Sequence, residues 1–332
     1  MLFSDGDYSY DKILAISKSN NAYNYMAIGY FVNANNIMYE KTNDIQYLEI
    51  NSQVVENVRN SNNFQGEWRI NVDANNQNSS SNGGISIVFE GYYYRYLAEY
   101  IYILQKNKVM LSEANVQNTF LKSIFDKWVL RSQKSFNDYS TLLHRNLHTG
   151  ANWACVALFL GKENDENVYL DFVNQYDKLL KERLIEREGE GKKFYYIWNS
   201  SYLQSSTKYL RGIKDYSQEL QDVSHGNHVI NYILFSVKLG YVAWGVDDII
   251  KFSNTLEYSI WNKEAGEFNE LLINKNDGWF TWKISDGWLK LLPYCSNDFK
   301  VKVLDFYKRK RNVCNKSFLG LQFLSNLYPV IK

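Results

Sequence analysis

His148-Thr149-Gly150-Ala151-Asn152-Trp153 leads into an apolar run that ends at Leu160-Gly161, and His225-Gly226-Asn227-His228 leads into another that ends at Leu239-Gly240. In both, a His–Gly–Asn opening precedes apolar positions at helical spacing, and a glycine able to take the left-handed cap conformation follows. The pair predicts two equivalent helices from separate hairpins, with their mouths on the same side.

Outward from these segments the helical rhythm continues. Ala22, Tyr25, Met26, Ile28, Gly29 and Val32 form one stripe, and Ile45, Leu48, Val54, Val55 and Val58 another. Tyr93, Leu97, Tyr100, Ile101 and Leu104 follow, then Phe120, Ile124, Trp128 and Val129. Later stripes fall in 152–160, 168–184, 227–239, 246–260, 299–310 and 317–328. Only two prolines occur, Pro293 and Pro329, so no missing backbone donor interrupts helices before position 293. The expectation is all-α: about ten helices paired as hairpins in an (α/α) toroid or partial toroid, forming a single domain over 1–332. Any β element should be minor, with Trp68–Val72 and Ile85–Phe89 as the alternating candidates on either side of the polar loop 73–84.

Composition removes several function classes. Lys and Arg total 37 against 36 Asp and Glu, a net charge of +1 that lacks the basic footprint of a general nucleic-acid binder. No apolar run reaches the roughly 18 residues of a membrane span. The opening MLFSDGDYSYDK has neither the basic nor the apolar region of a secretory signal, so the expectation is a chain that stays inside or starts after a removed signal. The three cysteines (Cys155, Cys295, Cys314) are odd in number and widely scattered, which excludes a disulfide framework. Aromatic residues make up 16% of the chain, with 27 Tyr and 9 Trp, a composition suited to stacking on sugar rings.

All four histidines (His144, His148, His225, His228) fall at the two helix openings. Read separately, each is a cap or a buried imidazole; read together, they border one cleft. His144 and His148, followed by Asn152, repeat every four residues and would share a helical face. Asp222, His225 and His228 have metal-ligand residue types, but Gly226 and an expected helix start near Asn227 break their face. No HExxH is present, and no metal or other cofactor is expected. Glu90-Gly91-Tyr92-Tyr93-Tyr94-Arg95-Tyr96 sets an acid, an arginine and four tyrosines at a helix mouth. Asp247-Asp248 reads as acids at a helix start. Asp277-Gly278-Trp279, with Trp282, and Asp286-Gly287-Trp288 combine turn chemistry with indoles that either close the core or grip sugar faces.

HTGANWACVALFLG (148–161), DVSHGNHVINYILF (222–235), SNTLEYSIW (253–261) and SDGW (285–288) together resemble carbohydrate-active α/α-toroid proteins. The similarity is to alginate-lyase-type polysaccharide lyases and to relatives of the six-hairpin glycosidases. The lyases' doubled Asn before His is absent; here His148 precedes Asn152. The resemblance implies an enzyme acting on a uronate-containing polysaccharide or oligosaccharide, by β-elimination or an epimerase-like variant. In that chemistry a base removes the proton α to the uronate carboxyl, and donors neutralise the carboxylate. His148, Asn152, His225, Asn227 and His228 are of the types required, Tyr94 or Tyr202 would serve as base or acid, and Arg145 or Arg211 would bind the uronate. Trp279, Trp282 and Trp288 would line the substrate path. Two alternatives stay open: inverting hydrolysis with Glu90 and Asp222 as paired carboxyls, and a noncatalytic glycan-binding toroid.

Overall fold

The computed structural model describes residues 10–61, 68–70, 84–144, 146–163, 167–201, 220–273, 284, 287–314 and 318–328. Thirteen α-helices are found among the described residues, with only two small antiparallel sheets, so the fold is mostly α. The first three helices are α1 (Tyr10–Ser17), α2 (Ala22–Thr42) and α3 (Gln46–Asn60). Next come α4 (Ile87–Asn107), α5 (Leu111–Phe136), the short α6 (Ser140–Leu143), α7 (Leu147–Glu163) and α8 (Asn167–Lys181). After α9 (Val223–Lys238) follow α10 (Val246–Asn254), with a π-helical turn over Thr255–Ile260, then α11 (Gly287–Lys290), α12 (Asn297–Cys314) and α13 (Phe318–Leu327). None of the described helices is long and apolar enough to cross a membrane.

Local chemistry sets the helix starts that matter for the site. Asn21 caps α2 through a bond from the Tyr23 N–H, Ser86 caps α4 from Phe89, and the Asp222 carboxylate caps α9 from His225 at 2.9 Å. Two expectations are corrected by these caps. Residues 87–89, read as strand, are the first turn of α4, because Ser86 satisfies an otherwise orphaned amide there. Helix α9 starts at Val223 and not near Asn227, so Gly226 lies inside its first turns. Of the other strand candidate only 68–70 are described; Arg69 forms an isolated parallel bridge with Asn21, and the Ile70 N–H bonds Gly84. The pairing that does form joins β1 (Ile185–Glu188) to β2 (Phe194–Ile197), and β3 (Trp261–Asn262) to β4 (Glu267–Phe268). Gly161 lies within α7, whereas Gly240 takes the left-handed conformation just beyond α9 (φ 78°).

Helix contacts follow a cycle: α2 packs on α4, α4 on α7, α7 on α9, α9 on α11, α11 on α13, and α13 on α2. Helices α3, α8 and α12 pack on α2, α7 and α13 in turn, and α5 packs on both α4 and α7. Close approach is enforced by glycine. A Cβ at Gly29 would sit 2.9 Å from the Tyr92 carbonyl across the α2–α4 contact. One at Gly91 would sit 2.9 Å from the Trp153 indole nitrogen across α4–α7.

The core is dense with aromatic groups: Trp68 stacks on Tyr94 at 5.0 Å, and Trp198 stacks on Trp288 at 5.9 Å. A polar seam runs through it. Tyr92, Arg95, Tyr96 and Glu99 occupy one face of α4, and all are buried. Arg95 bonds Tyr96, Gln322 on α13 bonds both the Tyr96 hydroxyl and Asn33 at 2.9 Å, and Asn33 donates to Glu99 at 2.6 Å. Lys290 on α11 then joins Glu99 at 3.4 Å to Asn231 of α9 at 2.8 Å.

Candidate functional site

The N-terminal halves of α4, α7 and α9 meet at three imidazoles. His148 of α7 stacks on His225 of α9 with ring centroids 4.2 Å apart, and His228, one turn along α9, lies 5.8 Å from His148. Tyr92 of α4 closes the group, edge-on to His228 at 4.2 Å and to His148 at 6.2 Å. The two helix openings singled out in the sequence therefore converge on one place.

Hydrogen bonding orients two of the three rings. The Asp222 carboxylate only accepts, so His225 Nδ1–H donates to Asp222 Oδ2 at 2.7 Å. Likewise His228 Nδ1–H donates to the Asn152 side-chain oxygen at 2.9 Å. Burial would raise the Asp222 carboxyl, but the His225 ring and amide more than offset this and hold it below the usual carboxylate range. His148 and His228 are pushed well below the ordinary imidazole value, first by burial and then by neighbouring positive charge, including Arg95. Both are neutral at pH 7. Burial likewise pushes the Tyr92 phenol well up, so it keeps its proton.

The group grades from open to closed. The His225 side chain is 43% exposed and that of Asp222 29%, whereas Asn152 is fully buried and His148 is 6% exposed. Among the described residues, two polar atoms at the closed end, His148 Nδ1 and the Asn152 amide nitrogen, have no hydrogen-bond partner. Buried polar groups are nearly always satisfied, and leaving one unmade costs about 1–3 kcal/mol. Among the described residues, these two atoms leave hydrogen-bonding capacity beside the open His225–Asp222 pair.

Other expected site residues are placed elsewhere. Glu90 faces α5, where Trp128 Nε1 donates to it at 2.6 Å and Lys127 at 3.1 Å; burial raises its carboxyl despite them. Tyr94 lies in the aromatic core against Trp68 and Trp153, turned away from the imidazoles that Tyr92 touches. Asn227 braces α11, its side-chain oxygen accepting from the Trp288 amide at 3.4 Å while its nitrogen donates to Ser224. Trp288 is fully buried and is no sugar platform: its indole donates to the Val223 carbonyl at 2.9 Å and packs against Gly226. His144 does not share a helix with His148; it ends α6 in a positive-φ conformation (φ 55°), accepting from the Asn146 amide at 3.2 Å. Arg145, Tyr202, Arg211, Trp279 and Trp282 lie outside the described residues.

Sequence reasoning singled out the 90–96 stretch but chose Tyr94 from it, and did not select Tyr92 and Arg95. The signal was present, since Tyr92, Arg95, Tyr96 and Glu99 repeat at i, i+3, i+4 and i+7 and mark a polar stripe on an otherwise apolar helix.

Fold and site define a mostly helical protein with a graded imidazole cluster where three buried helices begin. No family description, no curated protein and no solved structure matches the chain. Among the described residues no group of three or more His, Cys, Asp or Glu side chains is arranged to hold a metal ion.

Proposed function

We propose that this chain is a carbohydrate-active enzyme that acts on a uronate-containing polysaccharide by β-elimination, with an epimerase-like variant of the same proton abstraction as its close relative. One observation carries the reading: an open His225–Asp222 pair stands directly over two buried, neutral imidazoles and an amide with unmatched hydrogen-bonding capacity. The cycle of helix contacts supports the inner ring of an (α/α) toroid, formed as a single domain, with the cluster at one mouth.

In this reading His225 Nε2 takes the proton α to the uronate carboxyl. Asp222 stabilises the imidazolium that forms and fixes its tautomer. The same proton then passes to the leaving glycosidic oxygen, leaving an unsaturated sugar. The α-proton becomes acidic only when the carboxylate is neutralised, a task for the Asn152 amide and the field of Arg95. The adjacent helix N-termini carry partial positive charge, which also favours an anionic group here. Inverting hydrolysis draws no support from the geometry, because Glu90 is committed to Trp128 and Lys127 on the α5 side of α4.

The test is incubation with alginate, glucuronan and other acidic glycans, followed at the ultraviolet absorbance of the unsaturated product. A rise that His225→Ala removes supports elimination. Reducing sugar without absorbance would assign hydrolysis instead, and binding without turnover a glycan-binding protein.

A further inference from the structure

The Asp222 backbone is held from both sides. On one side the Gln221 N–H donates to the Trp198 carbonyl at 3.0 Å, and Leu220 bridges Asn199. On the other, the Leu272 N–H donates to the Gln221 carbonyl at 3.1 Å and the Val223 N–H to the Glu270 carbonyl at 2.8 Å, with Asp222 bridging Leu271. Beyond Asn199 the chain reaches α7, where Asn146 bridges Ser201 and the Leu147 N–H donates to the Ser200 carbonyl at 3.0 Å. The starts of α7 and α9, which bear His148 and His225, are therefore joined by one ribbon of backbone hydrogen bonds.

Side chains fasten the outer edge of that ribbon. Asn269 is buried; its side-chain amide donates to the Ser259 carbonyl at 3.1 Å and its backbone N–H to the Ile260 carbonyl at 2.7 Å. The Ser259 hydroxyl donates in return to the Leu272 carbonyl. Ser259 and Ile260 close the π-helical turn, and the last carbonyls of a helix lack partners within it, so these two accept from Asn269. Such π turns are rare and occur frequently at functional sites.

We propose that Ser259 and Asn269 are positioning residues for the Asp222–His225 pair: they pin residues 269–272, on which the Asp222 backbone rests, and so hold its carboxylate against the imidazole. The role rests on the reading of that pair as the acid–base centre, where a misplacement of about 1 Å from a distant change costs about a hundredfold in rate. Both residues act through Asp222 and not on the bound glycan, so the loss falls on kcat and not on KM.

The experiment follows turnover on an acidic glycan together with the His225 Nδ1–H proton. That proton is observed by NMR in the full chain carrying isotope-labelled histidine, and assigned by its loss in His225→Ala. Ser259→Ala and Asn269→Ala should each lower kcat about tenfold or more with KM within about twofold, and move the ring proton upfield as its bond to Asp222 loosens. Ser259→Thr, which keeps the hydroxyl, should retain wild-type kcat and ring proton. Asn35→Ala, which breaks a buried bond to Asn51 at 2.8 Å between α2 and α3, should lower the melt and leave kcat and the ring proton unchanged. A folded Ser259→Ala or Asn269→Ala protein with an unmoved ring proton overturns the proposal. So does a Ser259→Thr protein that behaves like Ser259→Ala, a ring proton that moves equally in Asn35→Ala, or loss of the fold in both position-259 and position-269 Ala variants. If no glycan is consumed, the ring proton alone decides: its shift in the two Ala variants keeps the positioning role while the enzymatic reading falls.

Discussion

His225 combines a carboxylate on one ring nitrogen with solvent access for the other, and its neighbours His148 and His228 have traded that access for burial. Removing His225 should therefore cost chemistry and removing the others should cost stability. We expect His225→Ala to lower turnover on an acidic glycan by about a hundredfold or more, with little change in the melt. Asp222→Asn keeps a side-chain cap for α9 but loses the charge that steadies the imidazolium, so turnover should fall while stability changes by under about 1 kcal/mol. Cys155→Ser, at a buried position of α7, should move only the melt. A fully active His225→Ala protein would leave the capping arrangement as that residue's whole role.

The buried rings also predict how stability responds to acid. His148 and His228 have depressed values in the folded chain, while the unfolded chain offers imidazoles titrating near 6.5. Below about that pH the unfolded state binds more protons, so stability is complete above it and declines as pH falls, by up to about 1.4 kcal/mol per pH unit for each ring. Asp222, also depressed, adds a further loss only at the lower pH where carboxylates protonate. Denaturant melts between pH 8 and pH 5 should show this slope, and His148→Gln should reduce it. A flat profile would contradict neutral buried rings.

Helices of this chain announced themselves wherever apolar residues recur at helical spacing. The stripes at 22–32, 45–58 and 93–104 lie within or begin one residue before α2, α3 and α4. What stayed hidden gave no such signal. The β1 strand, Ile185–Glu188, is exposed at every position, so the charged run 181–193 gave no alternation to find. Ile85–Phe89 alternates well, yet the Ser86 cap and the α2 contact through Gly29 make it a helix start. The cluster was half visible: histidine pairing pointed to it, but choosing Tyr92 over Tyr94 requires the rotation of α4, which Gly29 and Gly91 set by close approach. We expect Gly91→Ala to separate α4 from α7 at a cost of about 1–3 kcal/mol in chemical denaturation. Gly287→Ala should cost more, because its Cβ would fall 2.3 Å from the Asn227 carbonyl.

The buried polar seam links five helices, α2, α4, α9, α11 and α13, from Asn33 of α2 to Gln322 of α13. Gln322→Leu would strip Asn33 and Tyr96 of a partner at once, and we expect a loss of about 1–3 kcal/mol in urea melts. A change within error would mean that the seam relaxes to new partners.

The contact between α2 and α13 ties residue 41 to residues 325–328. On a ribosome, α2 emerges early and must wait for α13, which follows every other member of the cycle. Until then Asn33 and Tyr96 lack Gln322 as a partner, and nascent chains ending before residue 318 are open to wrong pairings and to chaperones. Such long-range closure also slows folding, since loop entropy is lost before the contact rewards it. Timing of synthesis, as much as affinity between helices, then decides how much of this protein reaches its closed form.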